Sequence, residues 1–153
     1  MMSFIKKLQT ASRARTTYRV GLLQAKAYRI LKQNTHDVLK EFNISTIEWA
    51  FLGLLHDSPL GMRSSSLADE LGVEAPFITQ MMKSLKVTKF LDQHEDPNDS
   101  RARIIKLTKP GREFVDRTEI HLRNSMRPLV KGVSPQDLVS YLSVMESIIE
   151  NAK

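Results

Sequence analysis

The stretch Asp96-Pro-Asn-Asp-Ser-Arg-Ala-Arg-Ile-Ile-Lys-Leu-Thr-Lys-Pro-Gly111 carries the clearest structural signal in the chain. Two strand-like segments, residues 90–94 and 102–107, flank a polar tip at residues 96–100. Proline presets a turn, and Asn, Asp and Ser side chains bond to their own backbone, so the pattern predicts a β-hairpin. Arg101 and Arg103 follow the tip and can project from the end of the ribbon. The carboxylates of this turn are predicted to be solvated.

Four helical segments precede the hairpin. Apolar residues at three- and four-residue steps predict a long amphipathic helix from about residue 15 to 42. The capping-box sequence Ser45-Thr-Ile-Glu48 opens a second helix, which ends near Leu55. A short helix follows, with caps offered by residues 64–66 and with Gly72 as its left-handed C-terminal residue. The fourth helix runs from about residue 74 to 88. The predicted buried stripe of the second helix is Ile47, Ala50, Phe51 and Leu54.

Two helices follow the hairpin. Thr108-Lys-Pro-Gly111 predicts the start of the first, and Ser134-Pro-Gln-Asp137 is a strong signal for the start of the second, because a cap, a proline and an acid all suit a helix N-terminus. One side of the first carries Phe114, Thr118, His121, Leu122 and Ser125. The apolar stripe of the second is Leu138, Tyr141, Leu142, Met145, Ile148, Ile149 and Ala152. The stripes on the two terminal helices need cover, which a second copy of the chain would supply.

A helix-turn-helix followed directly by a hairpin is a winged helix. The predicted class is therefore α+β, mainly α, a winged helix-turn-helix with long N- and C-terminal dimerisation helices. This order resembles the MarR family of transcription regulators over nearly the whole chain. The matching motifs are Leu67-Ala-Asp-Glu-Leu-Gly-Val73, Leu85, Asp96-Pro-Asn-Asp-Ser-Arg101 and Leu107-Thr-Lys-Pro-Gly111. The Asp-Pro-x-Asp-x-Arg tip followed by Leu-Thr-x-x-Gly is the specific part of the pattern.

The resemblance implies a division of the chain. Residues 1–153 would form a single MarR-type domain, with residues 44–109 as the winged-helix DNA-binding lobe. Residues 1–42 and 110–153 would form the helical dimerisation lobe. Many relatives bind small phenolic or anionic ligands between these lobes and then release DNA. A homodimeric repressor of a pseudo-palindromic operator, with a possible small-molecule effector of unknown identity, is therefore expected.

The resemblance also implies which residues meet double-stranded DNA. The helix from residue 74 to 88 would lie in the major groove, where Gln80 could pair with adenine and Thr79 could touch a thymine methyl group. Arg101 and Arg103 would enter or flank the minor groove, and Asp99 would orient Arg101. The expected DNA-contacting residues are Ala75, Pro76, Thr79, Gln80, Lys83, Arg101 and Arg103.

Three positions depart from the family pattern. Glu74 stands where serine is usual at the start of the recognition helix, and Gln80 stands where arginine is common. Lys89 occupies a usual glycine position between the recognition helix and the wing, where a left-handed backbone would cost energy. These changes affect the expected target sequence more than the expected fold.

Composition limits the other possibilities. The chain has 153 residues, 41% of them hydrophobic, a net charge of +6 and no cysteine, which excludes disulfides and thiolate metal sites. No apolar run approaches the roughly 20 residues of a membrane-spanning helix. The four histidines, His36, His56, His94 and His121, lack metal-ligand spacing. We therefore expect a cytoplasmic protein with no cofactor, no metal and no membrane association.

Charge distribution leaves a second function open. Residues 1–32 carry eight basic and no acidic side chains, and this basic start is expected to be the frayed end of the first helix or a separate arm that touches nucleic acid. Residues 63–109 carry eight basic and seven acidic residues, a net charge of only +1. A winged helix used for protein interaction or as a scaffold, without DNA binding, is the alternative. We find no nucleophile–base set or phosphate loop, so an enzyme is not expected.

Overall fold

Helices dominate the architecture of the chain. The structure is a computed structural model that describes residues 16–152. The elements are α1 (Thr16–Glu41), α2 (Thr46–Asp57), β1 (Met62–Arg63), α3 (Ser64–Leu71), α4 (Ala75–Lys86), β2 (Leu91–Asp96), β3 (Asp99–Leu107), α5 (Lys109–Met126) and α6 (Pro135–Asn151). The predicted mainly helical winged-helix class is confirmed. The predictions for the basic segment before residue 16 lie outside the described residues.

The hairpin differs in detail from the sequence prediction. Strands β2 and β3 are longer than predicted, and only Pro97 and Asn98 separate them, so the five-residue tip was wrong. Asp96 and Asp99 face each other across this turn, and the ladder is irregular between Glu95 and Asp96. The sequence also gave no sign of β1, which pairs antiparallel with β3 and completes a sheet of order β1-β3-β2. A two-residue strand is too short to show alternation.

The core lies where α2 meets its neighbours. Phe51, Leu52 and Leu55 of α2 are fully buried, whereas Ala50 is exposed and Ile47 and Leu54 are only partly buried. The predicted α2 stripe was therefore wrong at Ala50. The reason is that α2 packs against α1, α3, α5 and β3, so its neighbours decide which arc is buried. The other core residues include Leu39, Leu67, Ile78, Met81, Leu85, Ile105, Phe114, Val115 and Leu122.

Helix α5 shows a smaller correction. His121 was predicted on the packed side, but it is exposed, and Val115 is buried instead. The His121 ring still contacts the Phe42 ring edge-on at 5.2 Å between centroids. Phe42 also meets Phe114 at 6.0 Å, so this aromatic group joins the end of α1 to α5.

The helix ends follow local sequence with one exception. Capping boxes are present at Ser45 and Ser134, and Gly72 has the predicted left-handed backbone with φ of 63°. The serine caps predicted for α3 were wrong, because Arg63 is the N-cap residue and makes no side-chain cap bond. Pairing of Arg63 in β1 keeps its backbone extended, so residues 64–66 are already helical.

The two terminal helices keep large apolar side chains at the surface of the single chain. No residue of α6 is buried. Leu142 and Ile149 on α6 are 59% and 63% exposed, and Leu23 and Ile30 on α1 are each 56% exposed. Much of the α6 stripe and of the first half of α1 thus remains exposed within residues 16–152, whereas Val38 near the end of α1 packs against the core.

Gly111 permits a close approach that an alanine would disrupt. A Cβ atom there would collide with the carbonyl oxygen of Phe90 and approach Leu107 Cδ2 at 3.2 Å. We predict that Gly111→Ala lowers the free energy of unfolding by roughly 1–3 kcal/mol through overpacking. Gly53 in α2 is the matched control, because a Cβ there meets nothing within 4 Å. Gly53→Ala should stabilise by roughly 0.5–1 kcal/mol in urea titrations. Equal effects of the two substitutions would contradict the packing argument.

Candidate nucleic-acid interface

Helix α4 has one buried and one exposed face. Ile78, Met81 and Leu85 attach it to the core. Its opposite face carries the predicted contact residues Ala75, Pro76, Thr79, Gln80 and Lys83, all exposed. The Thr79 hydroxyl donates a hydrogen bond of 3.4 Å to the Ala75 carbonyl oxygen. This bond keeps the hydroxyl close to the surface of α4. The structure thus brings these five residues together on one face, while their DNA contacts stay a prediction.

A carboxylate of α2 attaches α4 on its polar side. The Ser84 hydroxyl donates to Glu48 Oε1 at 2.8 Å, and Glu48 Oε2 accepts the Ser45 backbone N–H at 2.9 Å. Burial by itself would raise the pKa of Glu48, but the bonds from Ser45 and Ser84 outweigh it and hold the pKa below its ordinary value. One side chain therefore caps α2 and positions α4.

The wing presents Arg101 beside its turn. Asp99 Oδ1 accepts the backbone N–H of Arg101 at 3.0 Å, so the contact acts on the Arg101 backbone. Arg103 Nη1 lies 2.9 Å from Glu95 Oε1, its cross-strand partner in the ladder. Arg101 is exposed and forms no side-chain ion pair with a carboxylate of residues 16–152. The roles predicted for Asp99, Arg101 and Arg103 remain predictions.

The structure reveals an ion pair that the sequence did not suggest. Arg63 Nε lies 2.6 Å from Asp96 Oδ2, and the Asp96 side chain is only 4% exposed. Asp96 Oδ1 also accepts the backbone N–H of Asn98 at 2.8 Å. The prediction that the turn carboxylates are solvated was therefore wrong for Asp96. The Asp-Pro-Asn sequence does indicate a side chain that bonds to its own turn. No sequence signal joins it to Arg63.

Both partners of this pair have shifted pKa values. The Asn98 N–H bond and then the Arg63 bond and charge lower the pKa of Asp96, and burial opposes them. The bond to Asp96 and its charge raise the pKa of Arg63. The charged form of each group is thus favoured by the other.

Lys89 adopts the left-handed backbone expected of the usual glycine. Its φ angle is 59°, between the end of α4 and the start of β2. The Thr108 hydroxyl donates to the Lys89 carbonyl at 2.8 Å, and the Thr108 N–H donates to the Phe90 carbonyl at 2.9 Å. These bonds to the N-cap of α5 hold the conformation despite its cost.

A cavity of about 670 Å³ lies between α2, the end of α3 and α5. Trp49, Leu54 and Ile120 contribute apolar walls. His56 Nε2 is 3.0 Å from Asp116 Oδ1 across the gap between α2 and α5. Four carboxylates line the cavity against one arginine: Asp57, Glu70, Asp116 and Glu119 with Arg123. The family resemblance implies phenolic or anionic ligands, and this acidic lining disfavours the anionic ones.

Two other features bear on the class of site. In the part of the chain that the structure describes, no three His, Asp or Glu side chains are grouped so that they could hold a metal ion. None of the helices in residues 16–152 combines the length and apolar character needed to cross a membrane.

Solved structures share this fold, although no protein-family model matches the chain. A MarR family transcriptional regulator from Rhodococcus sp. RHA1 has a TM-score of 0.77 at 17% identity, covering 90% of this chain and 96% of its own. AbsC, a MarR family transcriptional regulator from Streptomyces coelicolor, has a TM-score of 0.77 at 19% identity, covering 92% and 97%. MepR from S. aureus, solved as a DNA complex, has a TM-score of 0.69 at 20% identity, covering 86% and 96%. The fold is therefore that of the MarR regulators, as the sequence resemblance predicted.

The lowered pKa of Asp96 gives a pH prediction. A carboxyl group whose pKa is lower in the folded state stabilises the fold above its unfolded value, ordinarily 3.8, and loses this effect as pH falls through the folded value. Asp96→Asn should therefore lower the thermal midpoint near neutral pH, and the difference from wild type should shrink below about pH 4. Glu95→Gln is the matched control, because it removes the same negative charge from an exposed neighbouring residue. If the difference in thermal midpoint between wild type and Asp96→Asn stays constant down to about pH 3, the lowered pKa of Asp96 is refuted.

Proposed function

We propose that this chain is a sequence-specific, double-stranded DNA-binding transcription regulator that acts as a homodimeric repressor. The observation that carries the proposal is the exposed face of α4, beside a wing whose Arg101 side chain has no carboxylate partner within residues 16–152. The same fold occurs in MepR, which was solved on DNA. Binding to DNA also implies a cytoplasmic site of action. Catalysis forms no part of the proposal.

Helix α4 supplies the proposed base readout. Its 12 residues span about 18 Å, which suits an α-helix lying in the major groove. Gln80 and Thr79 lie on its exposed face, where an amide can bond an adenine edge and a methyl group can meet thymine. Ser84 is held by Glu48 on another side, so α4 would enter the groove as a fixed element.

The wing supplies the proposed backbone and minor-groove contacts. Arg101 is free to insert, because its side chain has no carboxylate partner within residues 16–152. Arg103 would first have to leave Glu95, at 2.9 Å, so its contribution is expected to be smaller. The minor groove distinguishes base pairs poorly, and these arginines would therefore add affinity more than sequence preference.

The terminal helices supply the proposed dimer interface. Many of the exposed large apolar side chains lie on α1 and α6, and such a concentration of exposed apolar groups is typical of a protein interface. A second copy related by a two-fold axis would bury both sets at once. The two α4 helices would then read half-sites about one helical turn, roughly 10 base pairs, apart.

The near-neutral DNA-facing segment favours one other function. Residues 63–109 have a net charge of only +1, and Gln80 is uncharged. A winged helix that binds protein instead of DNA would have such a surface. Selection from random duplex DNA at several salt concentrations separates the two, because phosphate contacts make affinity fall steeply with salt. Recovery of a symmetric site supports the regulator; absence of salt-dependent binding supports the protein-interaction module.

Arg101 and Gln80 should affect DNA binding in different ways. Arg101→Ala should weaken binding to all duplexes and lower the salt slope by about one contact. Gln80→Ala should relax preference at one base position, by roughly 1–3 kcal/mol, with little change in salt slope. Arg123→Ala is the control, because Arg123 pairs with Glu119 on α5, outside α4 and the wing. If Arg101→Ala leaves specific affinity intact while the fold survives, the wing is structural.

Charged residues on the α6 stripe should prevent dimerisation. We predict that Leu142→Glu combined with Ile149→Glu gives monomers or insoluble protein in sedimentation at micromolar concentration, whereas wild type sediments as a dimer. Val87→Glu provides the control, because Val87 is 85% exposed and lies at the end of α4. A folded, monomeric wild type would rule out the proposed assembly.

A further inference from the structure

The pair formed by Arg63 and Asp96 connects two parts of the winged helix that are distant in sequence. Arg63 ends β1 and is the N-cap residue of α3, the first helix of the helix-turn-helix. Asp96 is the last residue of β2, next to the turn of the wing. Strand β3 lies between β1 and β2, so the Arg63 side chain reaches past a strand to meet Asp96.

The local ladder directs Asp96 toward this contact. The irregularity in the β2–β3 pairing falls between Glu95 and Asp96. Such irregularities often change the direction of a side chain. Glu95 is exposed, whereas the Asp96 side chain is 4% exposed with one oxygen on Arg63 and the other on the Asn98 N–H. Asp96 therefore holds the turn and is itself held by Arg63.

We infer that Arg63 is a positioning residue for the wing, which fixes the turn through Asp96 and so sets how Arg101 is presented to DNA. Only the DNA-binding part of this inference rests on the proposed function. Arg101 is the third residue of β3 after the turn, and its backbone N–H donates a hydrogen bond to Asp99 Oδ1 at 3.0 Å. If Arg63 no longer held the turn, the start of β3, from Asp99 to Arg101, would point in a different direction.

Burial distinguishes this pair from the other ion pair of the wing. Arg103 and Glu95 have side chains 47% and 68% exposed, and such surface pairs contribute little. Removing Arg63 would instead leave the Asp96 carboxylate buried without its cation. An unpaired buried charge strongly disfavours the present conformation of the turn. The turn would then have to open so that Asp96 could reach water.

A direct phosphate contact by Arg63 is the competing explanation. Its side chain is 43% exposed, and its Nε atom makes the bond to Asp96. Asp96→Asn separates the two explanations by the sign of the effect. If Arg63 binds phosphate, loss of the neighbouring negative charge should strengthen DNA binding. If Arg63 positions the wing, the same substitution should weaken DNA binding although it makes the surface more basic.

The first experiment needs no DNA. Backbone amide exchange is measured by NMR in wild type, Arg63→Ala, Arg63→Lys and Asp96→Asn. Arg63→Ala and Asp96→Asn should speed exchange at residues 98–103 by about tenfold or more beyond any change at core amides such as those of Leu52 and Leu85, which report only the loss of global stability. Arg63→Lys should give an intermediate rate, because the charge remains without the Nε geometry. Unchanged exchange at the turn in Arg63→Ala would overturn the inference.

The second experiment measures DNA affinity and its salt slope with the selected duplex. Asp96→Asn should weaken specific binding several-fold, and Arg63→Ala should cost much less when Arg101 is already alanine, because both act through the wing. Arg123→Ala is the control, and its effect should add to that of Arg101→Ala. Equal or tighter binding by Asp96→Asn overturns the inference. If wild type binds no DNA, the proposed function fails, and amide exchange alone decides whether Arg63 holds the wing.

Discussion

The junction at Thr108, where both ends of the wing meet the start of α5, determines how α4, the wing and α5 are arranged. The Thr108 N–H and hydroxyl donate to the carbonyls of Phe90 and Lys89, at 2.9 and 2.8 Å. The Phe90 ring stacks on Phe114 of α5 at 4.5 Å, and the absence of a side chain at Gly111 allows the backbones to approach. The end of α4, the base of the wing and the start of α5 are therefore fastened together. A rotation of α5 would carry the base of the wing with it.

The features that local sequence predicted are those whose physical cause is also local. The capping boxes at Ser45 and Ser134 and the left-handed Gly72 each follow from a few neighbouring residues. The left-handed Lys89 follows instead from the family resemblance, and Thr108, 19 positions away, holds it. The buried arc of α2 did not follow, because helices far away in sequence decide whether Ala50 is covered. The contact of Arg63 with Asp96 likewise joins residues 33 positions apart, and only the folded sheet places them together.

The net charge of residues 63–109 does not describe where their charges lie. Two of their acids lie in ion pairs, the buried Asp96 with Arg63 and the exposed Glu95 with Arg103. Glu48, which precedes residues 63–109, accepts hydrogen bonds from Ser45 and Ser84. Within residues 16–152, Arg101 and the lysines of α4, Lys83 and Lys86, form no ion pair with a carboxylate. The small net charge of residues 63–109 therefore describes the composition of the lobe and says little about the field at its exposed face.

In the proposed regulator, the exposed terminal helices and the wing would contribute to different parts of DNA recognition. In the proposed dimer, packing of α1 and α6 would set the distance between the two α4 helices. Within each copy, the junction at Thr108 fixes the base of the wing, while the far end depends on Arg63 and Asp96. Because the hairpin turn has only two residues, an anchored tip leaves Arg101 little freedom to move. The spacing of the two α4 helices would then depend on the dimer helices, and the reach of each wing would depend on the contact between Arg63 and the buried Asp96.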